Sequence, residues 1–325
     1  MIHGGNVWGS DAPSRWLDFS ANLRPEGMPE WAGQVMKSAL ADARYYPDIA
    51  MTAARAGLAA YAGVTEDCVL PTAGGAVAID LALSLSAGKV HLRMPTFGEY
   101  AQRAIIHGRE LASFGDSIAC GDTLMLCNPN NPTGHALTPS EVLNIHKKAA
   151  KHQATLVVDE AFIDYCAENS VRKHISNDLI IVGSLTKTLC IPGVRLGYVL
   201  ADPKVISVLE KKDLPWSLNM LASAVAANLP AHLDEIKADA AMNQQRRAQM
   251  VQALIARGAM VHPSQANFLL VDFGRDMTED VLKLRDVGIL VRTCASFGLG
   301  TEYLRLAVKT KEENERLVNA LWERY

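Results

Sequence analysis

Between residues 65 and 200, short apolar runs alternate with stretches of helical periodicity, and that alternation leaves few folds open to the chain. "KVHLRM", "DTLMLC", "TLVVDE", "LIIVGS" and "RLGYVL" are short, rich in Val, Ile and Leu, and bounded by polar turns. That is the pattern of strands buried on both faces. Between them lie segments such as "SEVLNIHKKAAKH", where Thr138 stands as N-cap and Glu141, three residues on, completes a capping box. Strand and helix in alternation predict an α/β domain on a mostly parallel sheet. After about residue 204 the texture changes. A long helical stretch runs to "RRAQMVQALIARG" with Gly258 as C-cap, followed by "NFLLVDF", a helix near "TEDVLKLRDVG", strands "ILVRT" and "YLRLAV", and a last helix in "KEENERLVNALWERY". The 325 residues suffice for two bodies. The expected division is an N-terminal arm over 1–30, a large domain over 31–204 and a smaller α+β domain over 205–325.

A formal net charge of −3 gives no electrostatic reason to expect nucleic acid or an anionic membrane as partner. The start, "MIHGGNVWGSDAPSRW", has no basic stretch leading into an apolar run, and no apolar run is long enough to span a bilayer. "AVAIDLALSLSA" carries Asp80 and reads as a buried helix. Cys68, Cys120, Cys127, Cys166, Cys190 and Cys294 are scattered without a C-x-x-C pair, as expected of reduced thiols in a cytoplasmic protein. The histidines show no ligand spacing, so no metal is expected.

Function is sought in the loops at strand ends. In "LPTAGGAVAIDLAL" a strand ends at Thr72 and Gly74-Gly75 open directly into a helix, where backbone N–H groups and the helix dipole suit an anion. "LCNPNNPTGHAL" is a rigid turn offering the side-chain amide of Asn131. Asp159 ends the apolar strand "TLVVD", and a carboxylate buried there needs a cation or donors. In "SLTKTLCIPGVRLGY", Lys187 follows a buried strand and is flanked by Ser184 and Arg195. A desolvated lysine favours its neutral amine and becomes a candidate Schiff-base former, and an arginine with hydroxyls and a glycine loop suits a phosphate. One ligand satisfies all four loops: an aldehyde for Lys187, a phosphate for Ser184, Arg195 and the glycines, a protonatable ring nitrogen for Asp159, and a polar ring substituent for Asn131. That ligand is pyridoxal 5'-phosphate.

The order of "TAGGA", "NPNNPTG", "VVDEAF" and "SLTKTLCIPGVRLGY" resembles the fold type I pyridoxal-phosphate enzymes of the class I/II aminotransferase superfamily over nearly the whole chain. The resemblance implies that Lys187 forms the Schiff base, Asp159 pairs with the ring nitrogen and Asn131 bonds the ring oxygen. It assigns the phosphate to Gly74, Gly75, Ala76, Ser184 and Arg195. Phe97 in "MPTFGEY" would stack on the ring, and Tyr46 in "RYYPD", or the adjacent Tyr45, would reach the phosphate of the other subunit in a homodimer. Arg305 in "YLRLAV" would grip a substrate α-carboxylate, leaving Arg292 for a second anion.

"IHGGN" and "LDFSANLRPEGMP" resemble the opening of the threonine-phosphate decarboxylases of cobalamin biosynthesis, and "RTCASFGLG" resembles that group more than the histidinol-phosphate aminotransferases. This implies that the arm contributes to the active site. His3, Gly4 and Gly5 would lie near a substrate phosphate, and Asn22 near its carboxylate. The expected reaction is decarboxylation of L-threonine O-3-phosphate, or of L-serine O-phosphate, to the aminoalkyl phosphate. An aminotransferase of the histidinol-phosphate type is the alternative, although Phe162 stands where those enzymes usually carry a tyrosine hydroxyl. A non-catalytic pyridoxal-phosphate-binding protein is the alternative from another class. The Cα bond standing perpendicular to the cofactor ring decides between decarboxylation and transamination: a carboxylate held there by Arg305 leaves as CO2, whereas a Cα–H bond there loses its proton to Lys187.

Overall fold

The computed structural model describes residues 4–8 and 12–322. The chain begins with β1 (Leu17–Asp18), α1 (Glu30–Ala39) and α2 (Thr52–Ala62), then alternates through β2 (Val69–Thr72), α3 (Gly75–Leu83), β3 (Val90–Leu92), α4 (Glu99–Ile106) and β4 (Leu111–Ser113). Next come β5 (Thr123–Cys127), α5 (Pro139–Lys151), β6 (Thr155–Asp159), β7 (Leu179–Ser184), β8 (Gly197–Leu200) and α6 (Pro203–Glu210). The remainder is α7 (Met220–Asn228), α8 (Leu233–Ala256), β9 (Met260–Val261), β10 (Phe268–Asp272), α9 (Thr278–Asp286), β11 (Ile289–Leu290), β12 (Arg292–Thr293), β13 (Tyr303–Ala307) and α10 (Lys311–Trp322).

The large sheet has seven strands in the order β2-β8-β7-β6-β5-β3-β4, all parallel except β8. Side chains alternate across it, as the two-residue period of a strand requires. On β5 to β7, Leu124, Leu126, Leu156, Val158, Leu179 and Ile181 enter a core with residues of α1, α2, α5 and α7. Met125, Cys127, Val157, Ile180 and Val182 enter the opposite core, against α3, α4 and α6. A sheet covered on both faces explains why its strands read as continuous apolar runs. The expected cap of α5 is present: Glu141 N–H donates to Thr138 Oγ1 at 3.3 Å, and Thr138 N–H donates to Glu141 Oε2 at 2.8 Å.

A second body is built on the antiparallel sheet β12-β13-β10-β9 and on β1 paired parallel with β11. Two readings need correction. "ILVRT" forms two short strands rather than one, because β11 pairs with β1 while β12 pairs with β13. Packing also does not change at residue 204. Ala222, Val225 and Ala226 of α7 sit in the core of the large sheet, and α8 bridges the bodies, with Ile236 in that core and Met250 and Leu254 in the core of the second. Leu17 and Phe19 pack into the second body, so the chain's first strand joins the last third of the sequence. Among the described residues no helix is long and apolar enough to cross a membrane.

Candidate active site

Asp159 and Ser184 are the last residues of the parallel strands β6 and β7, and Asn131 follows β5 by four residues. Their side chains open into one cavity of about 480 Å³, at the carboxyl ends of the strands where open α/β sheets bind ligands. Lys187, Arg195, Gly75, Ala76 and Phe97 line it, as do Gly4, Asn22, Arg292 and Arg305. The second body and the N-terminal segment therefore close over the strand ends.

At one end the first turn of α3 meets Arg195 and Ser184. Gly74 precedes α3 with φ +89, a conformation L side chains rarely adopt, and a Cβ there would come within 2.6 Å of Arg195 Nη2. A Cβ on Gly75 would lie 3.1 Å from the Cβ of Ser184. The first turn of α3, the Arg195 guanidinium and the Ser184 hydroxyl thus surround one small space. The Ser184 hydroxyl is held by that of Thr186 at 2.8 Å.

Asp159 is only 6% exposed. Its Oδ2 accepts from the Tyr100 hydroxyl at 2.7 Å and its Oδ1 from Ala161 N–H at 2.9 Å. Burial pushes its proton affinity up; the Tyr100 and Ala161 donors and, more weakly, Lys187 pull the other way. Burial, reinforced by the positive charges of Arg305 and Arg195, brings the Lys187 ammonium down from 10.5 to about 8. At pH 7 about a tenth of such amines are neutral, against about 0.03% for an ordinary lysine.

Arg292 and Arg305 are direct partners across the β12–β13 ladder, and each is 6% exposed. Like charges facing each other across a strand pair are unfavourable. No carboxylate of the described residues forms an ion pair with either. Arg305 donates to Asn131 Oδ1 at 2.7 Å and to the Ser20 carbonyl at 2.6 Å, both neutral acceptors. Arg292 donates to Ser296 Oγ at 2.7 Å. Burial, with Arg292 nearby, lowers Arg305 to about 10. Its Nε and the side-chain oxygen of Asn22 are buried without a hydrogen-bond partner among the described residues. Two desolvated cations lining one cavity suit an anionic ligand.

Two expected residues lie apart from this cavity. Tyr46 is 80% exposed, its ring 4.8 Å from Trp216, and Tyr45 is exposed beside it. His3 lies outside the described residues. Gly5 is close by, but its N–H donates to Ser20 Oγ at 2.8 Å. Sequence reasoning missed Tyr100, Ser20, Thr186 and Ser296. Of these, Tyr100 carried a readable signal, standing three residues after Phe97 at the start of a helix.

The pattern of the aminotransferase class I and II family matches residues 14–321, and the chain belongs to that family. Its doubly covered sheet and smaller C-terminal body are the fold of that family. Among the similar proteins, the threonine-phosphate decarboxylase of Salmonella typhimurium is 31% identical over 350 residues, covering 98% of this chain and 95% of its own. The histidinol-phosphate aminotransferase of Bacillus licheniformis is 28% identical, covering 94% and 91%. The crystal structure of L-threonine-O-3-phosphate decarboxylase from Porphyromonas gingivalis matches with a TM-score of 0.84 at 25% identity, over 93% of this chain and 97% of that one.

Proposed function

We propose that this chain is a pyridoxal-phosphate-dependent decarboxylase of L-threonine O-3-phosphate. The observation that carries the reading is the pair of buried guanidiniums, Arg292 and Arg305, facing the cavity that holds Lys187. A substrate with one carboxylate and one phosphate neutralises both.

The residues present fit the cofactor. Asp159 is a buried carboxylate with two neutral donors, and a protonated ring nitrogen gives it the cation it lacks. Gly74, Gly75, Ala76, Ser184 and Arg195 take the phosphate at the N-terminus of α3. Asn131 has its oxygen committed to Arg305, which leaves its amide N–H groups for the ring oxygen. Phe97 would pack on the ring. Lys187, whose neutral amine is favoured by desolvation, would hold the aldehyde carbon.

When bound, the cofactor supplies a sink for the electron pair released at Cα. Arg305 holds the substrate carboxylate, with Asn22 beside it, and Arg292 holds the substrate phosphate. Departure of CO2 leaves an electron pair on Cα. Lys187 Nζ, a group that exchanges protons near pH 8, delivers a proton there. The product is the aminopropanol phosphate; with L-serine O-phosphate it is the homologue one methyl smaller. A lone methyl in a pocket discriminates by only about 1–3 kcal/mol.

The chain acts as a homodimer in this reading. The support is a surface hollow lined by the exposed Ile49, Leu214 and Trp216, with the exposed Tyr46 ring against Trp216, which would be covered as Tyr46 reaches the neighbouring cofactor phosphate. Six unpaired cysteines suit a cytoplasmic protein.

The test is a product assay on cofactor-loaded protein with O-phospho-L-threonine as sole substrate, and histidinol phosphate plus 2-oxoglutarate in parallel. CO2 released without an amino acceptor supports the decarboxylase. Glutamate formed in the parallel reaction, with no CO2 in the first, makes the chain an aminotransferase. A lysine-linked cofactor with no turnover in either makes it a binding protein.

A further inference from the structure

Asp159 receives two hydrogen bonds, and one of them comes from another element altogether. Tyr100 lies in the first turn of α4, fully buried, and its hydroxyl donates to Asp159 Oδ2 at 2.7 Å. Its ring also meets that of Phe97 edge-on, the centroids 5.5 Å apart and the planes at 85°. One side chain therefore touches both the carboxylate and the aromatic ring that line the cavity.

We propose that Tyr100 is a positioning residue for the cofactor: its hydroxyl keeps Asp159 ionised and aimed at the ring nitrogen, while its ring edge fixes the plane of Phe97. The proposal rests on the pyridoxal-phosphate reading of the cavity. Asp159 is in a poor place to be an anion. Burial and the adjacent Glu160 raise its proton affinity, the buried Cys127 thiol beside it is kept neutral, and Lys187 gives only a weak opposing pull. Of the influences that favour the anion, the Tyr100 hydroxyl is the largest, ahead of Ala161 N–H. The phenol itself is held far above its ordinary pKa by burial and by the Asp159 charge, so it remains a donor at every working pH. A protonated carboxyl cannot pair with a protonated ring nitrogen. Removing the hydroxyl therefore raises the pH at which the cofactor loses its partner.

The test uses cofactor-free full-length protein and follows pyridoxal 5'-phosphate binding by visible absorbance from pH 5.5 to 8.5. Tyr100→Phe keeps the ring and the Phe97 contact and removes one oxygen. The expected result is a dissociation constant about 10-fold or more above wild type at pH 7, the loss typical of a hydrogen bond to a charged group. The pH below which affinity falls should also move upward. In a D159N background the same change should have less than about a twofold effect, because no charge remains to be held. A Tyr100→Phe protein with wild-type affinity and pH profile overturns the proposal. So does an equal loss in the D159N background, which marks a packing role alone. Should Tyr100→Phe not fold, fluorotyrosine incorporated in the wild-type chain offers a stronger hydroxyl donor and should move the fall-off to lower pH; an unmoved fall-off overturns the proposal. Wild-type protein that binds no cofactor defeats the reading of the cavity itself, whereas normal wild-type binding with an indifferent Tyr100→Phe defeats only this inference.

Discussion

Replacing Lys187 by methionine should make the cofactor-free protein more stable, and more so at pH 7 than at pH 9.5. The side chain is partly buried under the influence of Arg305 and Arg195, and its ammonium is brought down from 10.5 to about 8. The unfolded chain holds that proton up to about pH 10.5, so between pH 8 and 10.5 it binds more protons than the folded chain, and stability rises with pH there. Below pH 8 the full penalty applies, about 3 kcal/mol for the gap between the two values. By pH 9.5 it has shrunk to about 1 kcal/mol. Methionine is of similar length and carries no charge, so Lys187→Met removes the whole penalty. Its own apolar packing adds a gain that does not vary with pH. Urea unfolding at equal protein concentration, extrapolated linearly to water, measures both. The pH-dependent part of the gain should be about 2 kcal/mol between pH 7 and 9.5. A gain equal at both pH values, or none at pH 7, would refute the argument that this lysine is held in a desolvated, cationic setting.

Two further outcomes follow from the same geometry. Arg305→Gln should lower kcat/KM for the phosphorylated amino acid by at least about 30-fold, since truncating a buried charge pair costs about 2 kcal/mol or more; steady-state kinetics check it, and a change under threefold would contradict the carboxylate role. Gly74→Ala strains a position at φ +89 and drives a methyl against Arg195, so the affinity for pyridoxal 5'-phosphate should fall by about tenfold, a strain of about 1–3 kcal/mol, as a fluorescence titration would report.

Much of the large body is legible in the sequence, because a sheet covered on both faces needs apolar runs whatever their order. β4, short and only partly covered, carries no such run and was missed. The group Gly74, Asn131, Asp159, Ser184 and Lys187 is legible because each stands within four residues of a strand end, where the fold gathers side chains. The Tyr100 hydroxyl is not legible as a partner of Asp159. That contact spans 59 positions and exists only because α4 packs on the face of the sheet toward which β6 presents Asp159. The facing of Arg292 and Arg305 depends on a register set by β12 and β13, which sequence places side by side without fixing which residues oppose. The crossing of β1 to β11 is invisible for the same reason: two residues on each strand carry no periodic signal.

The most direct measurement is decarboxylation in heavy water. Cofactor-loaded protein is given O-phospho-L-threonine labelled with carbon-13 in its carboxyl group, and gas and product are analysed together. The account predicts one labelled CO2 for each aminopropanol phosphate, with a single deuterium on the carbon that lost the carboxylate. Deuterium entering Cα of unreacted substrate without labelled CO2, or a 2-oxo acid as product, would mean that Lys187 removes the Cα proton instead, and would contradict the account.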